Sequence, residues 1–79
     1  MARIIDGAHA NMVGDRVRDL RIAKKMSQQR LSDKLEMLAI YVCRGSISRI
    51  EDKQRTVTDI ELYGLAKALD VTIQDLFPD

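Results

Sequence analysis

The spacing of apolar residues at the start of the chain predicts a helix. Val13, Val17 and Leu20 recur at the i, i+4, i+7 spacing that places side chains on one helical face. Asn11 precedes them and has a side-chain oxygen that can accept hydrogen bonds from the first free amides of a helix. We therefore expect a first helix over about residues 12–25.

The same spacing returns after Ser27, with leucines at positions 31, 35 and 38. Ser27 is a good N-cap, so the pattern predicts a second helix that begins at Gln28. Since Leu38 continues the apolar stripe, we expect this helix to run through Leu38 before a wide turn at about residues 39–42. The Ile40–Tyr41–Val42 run favours β structure but is too short for an independent strand.

A third and a fourth helix follow from two further signals. Ile47 and Ile50 share the buried side of a helix expected over about residues 44–52. Thr58 and Glu61 form a capping-box pattern, in which each side chain binds the other residue's amide. The helix that this box begins has an apolar stripe made of Leu62, Leu65, Ala66 and Leu69.

The C-terminal segment predicts a short fifth helix. It begins at Thr72, with Asp75 three residues later, and Leu76 and Phe77 supply its apolar anchor. Asp70 stands before it at a helix end where glycine is more usual, which predicts slight strain. The fold class is therefore all-α: a compact domain of five helices over residues 11–79, preceded by a flexible N-terminal arm of residues 1–10.

Charge is balanced over the chain but not along it. The formal net charge is +1, yet residues 1–56 hold 12 Lys and Arg against 7 Asp and Glu, whereas residues 57–79 hold 1 against 5. A locally basic face can bind nucleic acid when the whole-chain charge is near zero, because bound phosphates release counterions. A solvated surface of mixed sign explains the same distribution equally well.

Several classes of function find no support in the sequence. There is no run of about 18 apolar residues and no secretory signal at the start, so we expect a cytoplasmic protein without a membrane partner. The only cysteine is Cys43 and the only histidine is His9, which excludes an internal disulfide and a zinc site. No group of titratable residues at a catalytic or ligand-binding spacing suggests an enzyme, a cofactor site or a small-molecule ligand.

Four blocks of sequence resemble the Xre family of Cro-like and phage-repressor-like helix-turn-helix domains. In chain order they are Val13–Arg21, Met26–Leu31, Ser46–Glu51 and Leu65–Val71. The resemblance covers residues 12–77 and implies that the third helix enters the major groove of duplex DNA while the second crosses the backbone. It further implies a repressor-like transcriptional regulator that binds a two-fold symmetric operator as a homodimer.

The resemblance also assigns roles to individual residues. The residues that it places at base edges are Arg44, Gly45, Ser46 and Arg49. It assigns contacts with the DNA backbone to Gln28, Ser48, Lys53 and Arg55. Arg21 and Glu51 correspond to a structural salt bridge between the first and third helices. No metal ligand or catalytic residue is implied.

The sequence departs from the family pattern around the third helix. The segment between Leu31 and Ile47 is several residues longer than usual, and Cys43, a poor cap, stands at the expected N-cap. No glycine follows Glu51, so we expect the third helix to extend or to close differently. Two alternatives stay open: an antitoxin-type or restriction-control regulator, and a protein-interaction module that keeps the fold without binding DNA.

Overall fold

The computed structural model describes residues 9–78 and confirms an all-α fold. Four α-helices and one short 3-10 helix follow each other in the order α1 (Gly14–Ala23), α2 (Gln28–Met37), α3 (Arg44–Glu51), α4 (Asp59–Leu69) and η1 (Gln74–Leu76). The predicted fifth helix is thus a single 3-10 turn. Most of the arm predicted for residues 1–10 lies outside the described residues.

The apolar faces of the helices meet in one core. Its fully buried side chains are Val17, Leu31, Leu35, Ile47, Ile50, Leu65, Leu69 and Leu76. Burying each side chain of this size contributes about 1.5–3 kcal/mol. The stripe predicted on α2 is wrong in one member, because the helix ends at Met37 and leaves Leu38 43% exposed.

Side-chain caps fix where α2 and α4 begin, and an asparagine binds the first amides of α1. The Ser27 hydroxyl accepts from the Arg30 amide, and the predicted box at the start of α4 is complete, since Thr58 accepts from the Glu61 amide while Glu61 accepts from the Thr58 amide. Asn11 Oδ1 accepts from the amides of Val13 and Gly14, at 3.1 and 2.8 Å. Asn11 thus binds amides at the start of α1 but is not its N-cap, because α1 begins at Gly14 and its N-cap is Val13, which makes no side-chain cap hydrogen bond.

All four α-helices end in the same arrangement, with a non-glycine residue in the left-handed region. These residues are Lys25, Ala39, Lys53 and Asp70, with φ of 57°, 61°, 59° and 57°. In each case the residue after it donates its amide to a carbonyl five residues earlier, which completes a Schellman motif. The expectation that α3 would extend or close differently is wrong, because Lys53 adopts the conformation that glycine usually supplies.

The wide turn between α2 and α3 is anchored at three points. Val42 is buried, Ser32 Oγ donates to the Val42 carbonyl at 2.8 Å, and Ile40 packs beside Gly64 of α4. A Cβ at Gly64 would lie 2.5 Å from Ile40 Cδ1, so the missing side chain makes room for the turn. The longer segment is therefore packed on the core, and it delivers the chain to Cys43 at the start of α3.

The C-terminal segment closes the fold against α1. Thr72 and Asp75 each accept a hydrogen bond from the other's amide, and Arg16 Nε donates to the Asp75 carbonyl at 3.0 Å. Leu76 is fully buried, whereas Phe77 is 38% exposed. Within residues 9–78, no helix combines the length and apolar character needed to cross a bilayer.

Candidate nucleic-acid interface

The outer surface of α3 gathers the four residues that the sequence places at base edges. Ile47 and Ile50 anchor the inner face in the core, while Arg44, Gly45 and Arg49 are exposed. Ser46 is half-buried, and its hydroxyl oxygen lies 3.3 Å from Arg49 Nη2, which donates to it. All four therefore occupy the first two turns of one helix, on the side turned away from the core.

In the part of the chain that the structure describes, no acidic side chain neutralises either arginine on this surface. Within residues 9–78, Arg44 and Arg49 have no ion-pair partner, and Arg49 donates a hydrogen bond only to the hydroxyl of Ser46. A guanidinium group presents five donors in a fixed fork that matches phosphate oxygens or the acceptor edge of guanine. The surface can thus bind an anionic or acceptor-rich partner without first breaking an internal pair.

Cys43 begins α3 without capping it. Its thiol accepts no hydrogen bond from the helix amides and instead lies 3.5 Å from Ser46 Oγ. The pKa of the exposed Cys43 thiol is lowered, chiefly by the hydrogen bond with the Ser46 side chain, and further by first-turn amides and by the charge of Arg49. The start of α3 consequently combines free amides, two cations and a thiol with raised acidity.

Arg21 and Glu51 fix α3 to α1 through a bidentate salt bridge. Arg21 Nε lies 2.7 Å from Glu51 Oε2 and Nη2 lies 3.0 Å from Oε1. The side chains are only 12% and 3% exposed, so a single broken partner would leave a charge in a poorly solvated place. Arg21 Nη1 also donates to the Met26 carbonyl at 2.7 Å, which ties the turn after α1 to the same pair.

Gln28 has a structural contact in addition to its predicted DNA contact. Its Nε2 donates to Glu51 Oε1 at 3.1 Å, so the first residue of α2 is joined to the last residue of α3. The contact orients α2 relative to α3. Sequence reasoning placed Gln28 at phosphate, which stays a prediction, and did not anticipate this internal bond.

The cations that follow α3 are paired within the protein. Lys53 Nζ lies 2.9 Å from Asp15 Oδ2, and Arg55 forms two hydrogen bonds to Glu61, at 2.9 and 2.8 Å. The Arg55 guanidinium lowers the pKa of Glu61, and the Thr58 amide adds to the effect. Contacts of Lys53 and Arg55 with the DNA backbone remain predictions, and such contacts would compete with these pairs.

Two residues that the sequence did not mark as part of the site support the C-terminal end of α3. The Asn11 amide group donates to the carbonyls of Ile50 and Arg55, at 3.1 and 2.9 Å. Gly14 packs so close to α3 that an added Cβ would overlap the Ile50 carbonyl oxygen. Asn11 is a frequent cap and Gly14 has no distinctive pattern, so only the folded arrangement reveals these roles.

The chain is similar to a helix-turn-helix family and to two solved structures. Residues 17–76 match the model of a protein family described as helix-turn-helix. The solved structure of the restriction-modification controller protein C.AhdI from Aeromonas hydrophila is 33% identical, with a TM-score of 0.73 over 84% of this chain and 92% of that one. The DNA-binding domain of BldD, 22% identical, shares the fold with a TM-score of 0.74 over 94% and 100%. No curated protein matches the sequence.

Proposed function

Because the chain belongs to the helix-turn-helix family of DNA-binding transcription regulators, we propose that it reads a specific duplex sequence with α3 in the major groove. The observation that carries the proposal is the outer face of α3. It exposes two arginines that form no ion pair within residues 9–78, while the inner face is buried in the core. Such a helix fits the major groove, where each base pair has its own pattern of donors and acceptors.

The side chains on α3 suit direct contact with base edges. Arg44 and Arg49 can each form two hydrogen bonds to O6 and N7 of guanine, worth about 1–3 kcal/mol of discrimination for a well-placed pair. Ser46 can donate to or accept from either kind of base. Gly45 adds no bulk, and a Cβ there would meet only Arg49 Nη1, at 3.9 Å, so the helix can approach the groove floor closely.

Contacts with the phosphate backbone are assigned to residues that flank this helix. Gln28 stands at the start of α2, Ser48 is half-buried on α3, and Lys53 and Arg55 follow its end. The ion pair of Lys53 with Asp15 is solvent-exposed on the Asp15 side, at 71%, so exchanging it for a phosphate costs little. These contacts fix the register of α3 without reading sequence.

We place two copies of the chain on one operator. A single small helix-turn-helix buries too little DNA surface for tight specific binding, and a dimer brings two recognition helices into successive major grooves, about 34–36 Å apart. The operator is then two-fold symmetric, with half-sites about one helical turn apart. A regulator of this kind acts in the cytoplasm. Sedimentation with and without the operator measures how many copies of the chain bind one operator.

The likeness to C.AhdI favours one specific role within transcription regulation. C.AhdI is a restriction-modification controller protein, and the two chains share 33% identity over most of both lengths. Control of restriction-modification genes is therefore the second candidate, beside a repressor-like or antitoxin-type role. Selection of bound fragments from the source genome tests it, since the controller role requires sites beside restriction or modification genes.

Binding to random duplex DNA at several salt concentrations tests the proposed function. A protein that neutralises Z phosphates loses affinity with a slope of about −0.9Z in a plot of log affinity against log salt, so we expect a steep loss. On a selected operator, Arg44→Ala/Arg49→Ala, with an unchanged circular dichroism spectrum, should weaken binding at every salt concentration. No binding by the folded wild type even at low salt would overturn the proposal and leave the protein-interaction module.

A further inference from the structure

Four basic side chains line one open cavity between α2 and the C-terminal end of α4. Lys24, Lys25, Arg30 and Lys34 surround a space of about 710 Å³ between the α1–α2 turn, the start of α2 and the C-terminal end of α4. We name this space the basic cavity. It includes none of the residues assigned above to base edges or to the DNA backbone.

The four cations of the basic cavity outnumber the acidic residues that line it. Within residues 9–78 none of the four forms an ion pair, in contrast to Lys53 and Arg55, which pair with Asp15 and Glu61. Asp70 is the sole acidic residue among those that line the cavity. Like charges that face one space repel one another, so the arrangement favours an anionic occupant.

The basic cavity is held rigidly relative to α3. Arg21 binds the Met26 carbonyl with Nη1 and Glu51 with its two other nitrogens, which joins the wall of the cavity to the last residue of α3. Ser27 caps α2 from within the same wall. A partner bound in the cavity is thereby positioned at a fixed angle to the recognition helix.

The basic cavity adjoins the residue expected at phosphate. Gln28 directly follows Ser27 of the cavity wall, and Arg30 and Lys34 continue along α2 from there. At a rise of about 1.5 Å per residue, Lys34 lies roughly 9 Å farther along the helix axis than Gln28, a distance of two or three base-pair steps. Gln28 contacts Glu51 of α3, whereas Arg30 and Lys34 lie on the side of α2 that faces α4. Cations at this spacing can follow a phosphate backbone outward from the half-site.

We propose that the basic cavity binds the phosphate backbone of the same duplex just outside the half-site that α3 reads. This inference rests on the proposed function, because it adds a second electrostatic contact to a DNA complex. It makes affinity depend on the length of the flanking DNA and not on its sequence, since phosphates carry no base identity. The cavity thus acts as a clamp that lengthens the footprint beyond the recognition helix.

Two duplexes with the same core test the clamp. One ends at the outer edges of the half-sites and the other extends about one helical turn on each side. We expect wild type to bind the extended duplex more tightly and with a steeper salt slope. Arg30→Gln/Lys34→Gln should abolish this gain, making the slope on the extended duplex shallower by up to about 2 per protomer, and leave the short duplex unaffected.

The control variant is Arg18→Gln/Lys67→Gln, which removes two exposed charges that do not line the basic cavity. It should keep the gain from extension. Equal affinity of wild type for both duplexes, or equal losses by Arg30→Gln/Lys34→Gln on both, would overturn the clamp while leaving the proposed function intact. Failure of wild type to bind either duplex would overturn both.

A small-anion site is distinguished by a separate measurement. Inorganic phosphate at constant ionic strength should not raise the melting temperature of wild type relative to Arg30→Gln/Lys34→Gln, because flanking DNA supplies several connected phosphates and a free ion supplies one. A rise confined to wild type, together with no effect of duplex extension, would assign the cavity to a free anion and contradict the proposal.

Discussion

Glu51 accepts hydrogen bonds from two residues of different helices on one buried carboxylate, Arg21 of α1 and Gln28 of α2. Since Glu51 is itself the last residue of α3, this carboxylate holds the two helices of the helix-turn-helix and the helix before them in one arrangement. The orientation of the recognition helix is therefore set by a polar contact as well as by the apolar core beneath it.

Glu51→Ala is expected to lower both stability and DNA affinity. It leaves the Arg21 guanidinium, whose side chain is 12% exposed, without its partner, and breaking a buried pair in this way costs about 3–5 kcal/mol. Urea unfolding measures the loss, and Asp52→Ala, at the exposed neighbouring residue, is the control with little effect. An unchanged unfolding midpoint and an unchanged DNA affinity in Glu51→Ala would contradict this role of the carboxylate.

Gly14→Ala is expected to destabilise the protein by about 1–3 kcal/mol, because the added methyl group meets the backbone carbonyls of Ile50 and Glu51, which cannot move alone. Thermal unfolding measures the change. Gly45→Ala is the matched control, since its Cβ meets only Arg49 Nη1 at 3.9 Å, and alanine is the better helix former. Gly45→Ala should keep stability yet weaken DNA binding. Equal melting temperatures for wild type and Gly14→Ala would argue against the close approach of α1 to α3.

Ala39→Gly is expected to stabilise the protein by up to about 1 kcal/mol. Ala39 has a φ of 61°, where a non-glycine residue is strained by roughly 1–2 kcal/mol, and the greater freedom of an unfolded glycine offsets part of the gain. Ala23→Gly, at a helical position, is the control and should destabilise by up to about 1 kcal/mol. Chemical denaturation measures the change in the free energy of unfolding for both variants, which should be a gain for Ala39→Gly and a loss for Ala23→Gly. A loss of stability in Ala39→Gly would rule out relief of strain.

The Arg55–Glu61 pair is expected to make stability depend on pH in the acid range. Because the pKa of Glu61 is lowered from its ordinary value of 4.5 by Arg55, its stabilising effect is complete above that value and is lost as the pH falls through the lowered pKa. Glu61→Gln does not titrate. Its stability deficit relative to wild type, measured by urea unfolding, should therefore shrink on acidification from about pH 6 to pH 3. A deficit that stays constant over this range would show that the charge of Glu61 contributes nothing.

Much of the fold could be predicted because its signals are local. The caps at Ser27 and Thr58 and the stripes on α2 and α4 follow from spacing and hydrogen-bonding chemistry within one turn of helix. The blocks shared with the Xre family agree with the helix-turn-helix family match, and this resemblance named Arg21 with Glu51, which spacing alone could not pair across 30 positions.

The remaining features depend on contacts between distant segments. Nothing in the sequence around Ala39 or Lys53 marks a left-handed residue, because no glycine stands there and the neighbouring packing selects the conformation. The stripe extended to Leu38 is wrong for the same reason, since α2 ends at Met37, one residue before the predicted end, and Ile40 enters the packing beside Gly64. The sequence does not reveal the bidentate pair of Arg55 with Glu61, because the capping box already gives the Glu61 carboxylate a hydrogen-bond partner. The resemblance assigns Arg55 to phosphate instead.

The central claim, that α3 reads bases, is tested most directly by the ratio of affinities for a selected operator and for random duplex DNA at one salt concentration. Lys53→Ala serves as a control that removes a backbone contact and should lower both affinities equally. We predict that Arg49→Ala lowers affinity for the selected site by about 1–3 kcal/mol, roughly 5- to 150-fold, and affects random DNA far less. Equal losses on both DNAs would make Arg49 a phosphate contact and would contradict base reading at this position of α3.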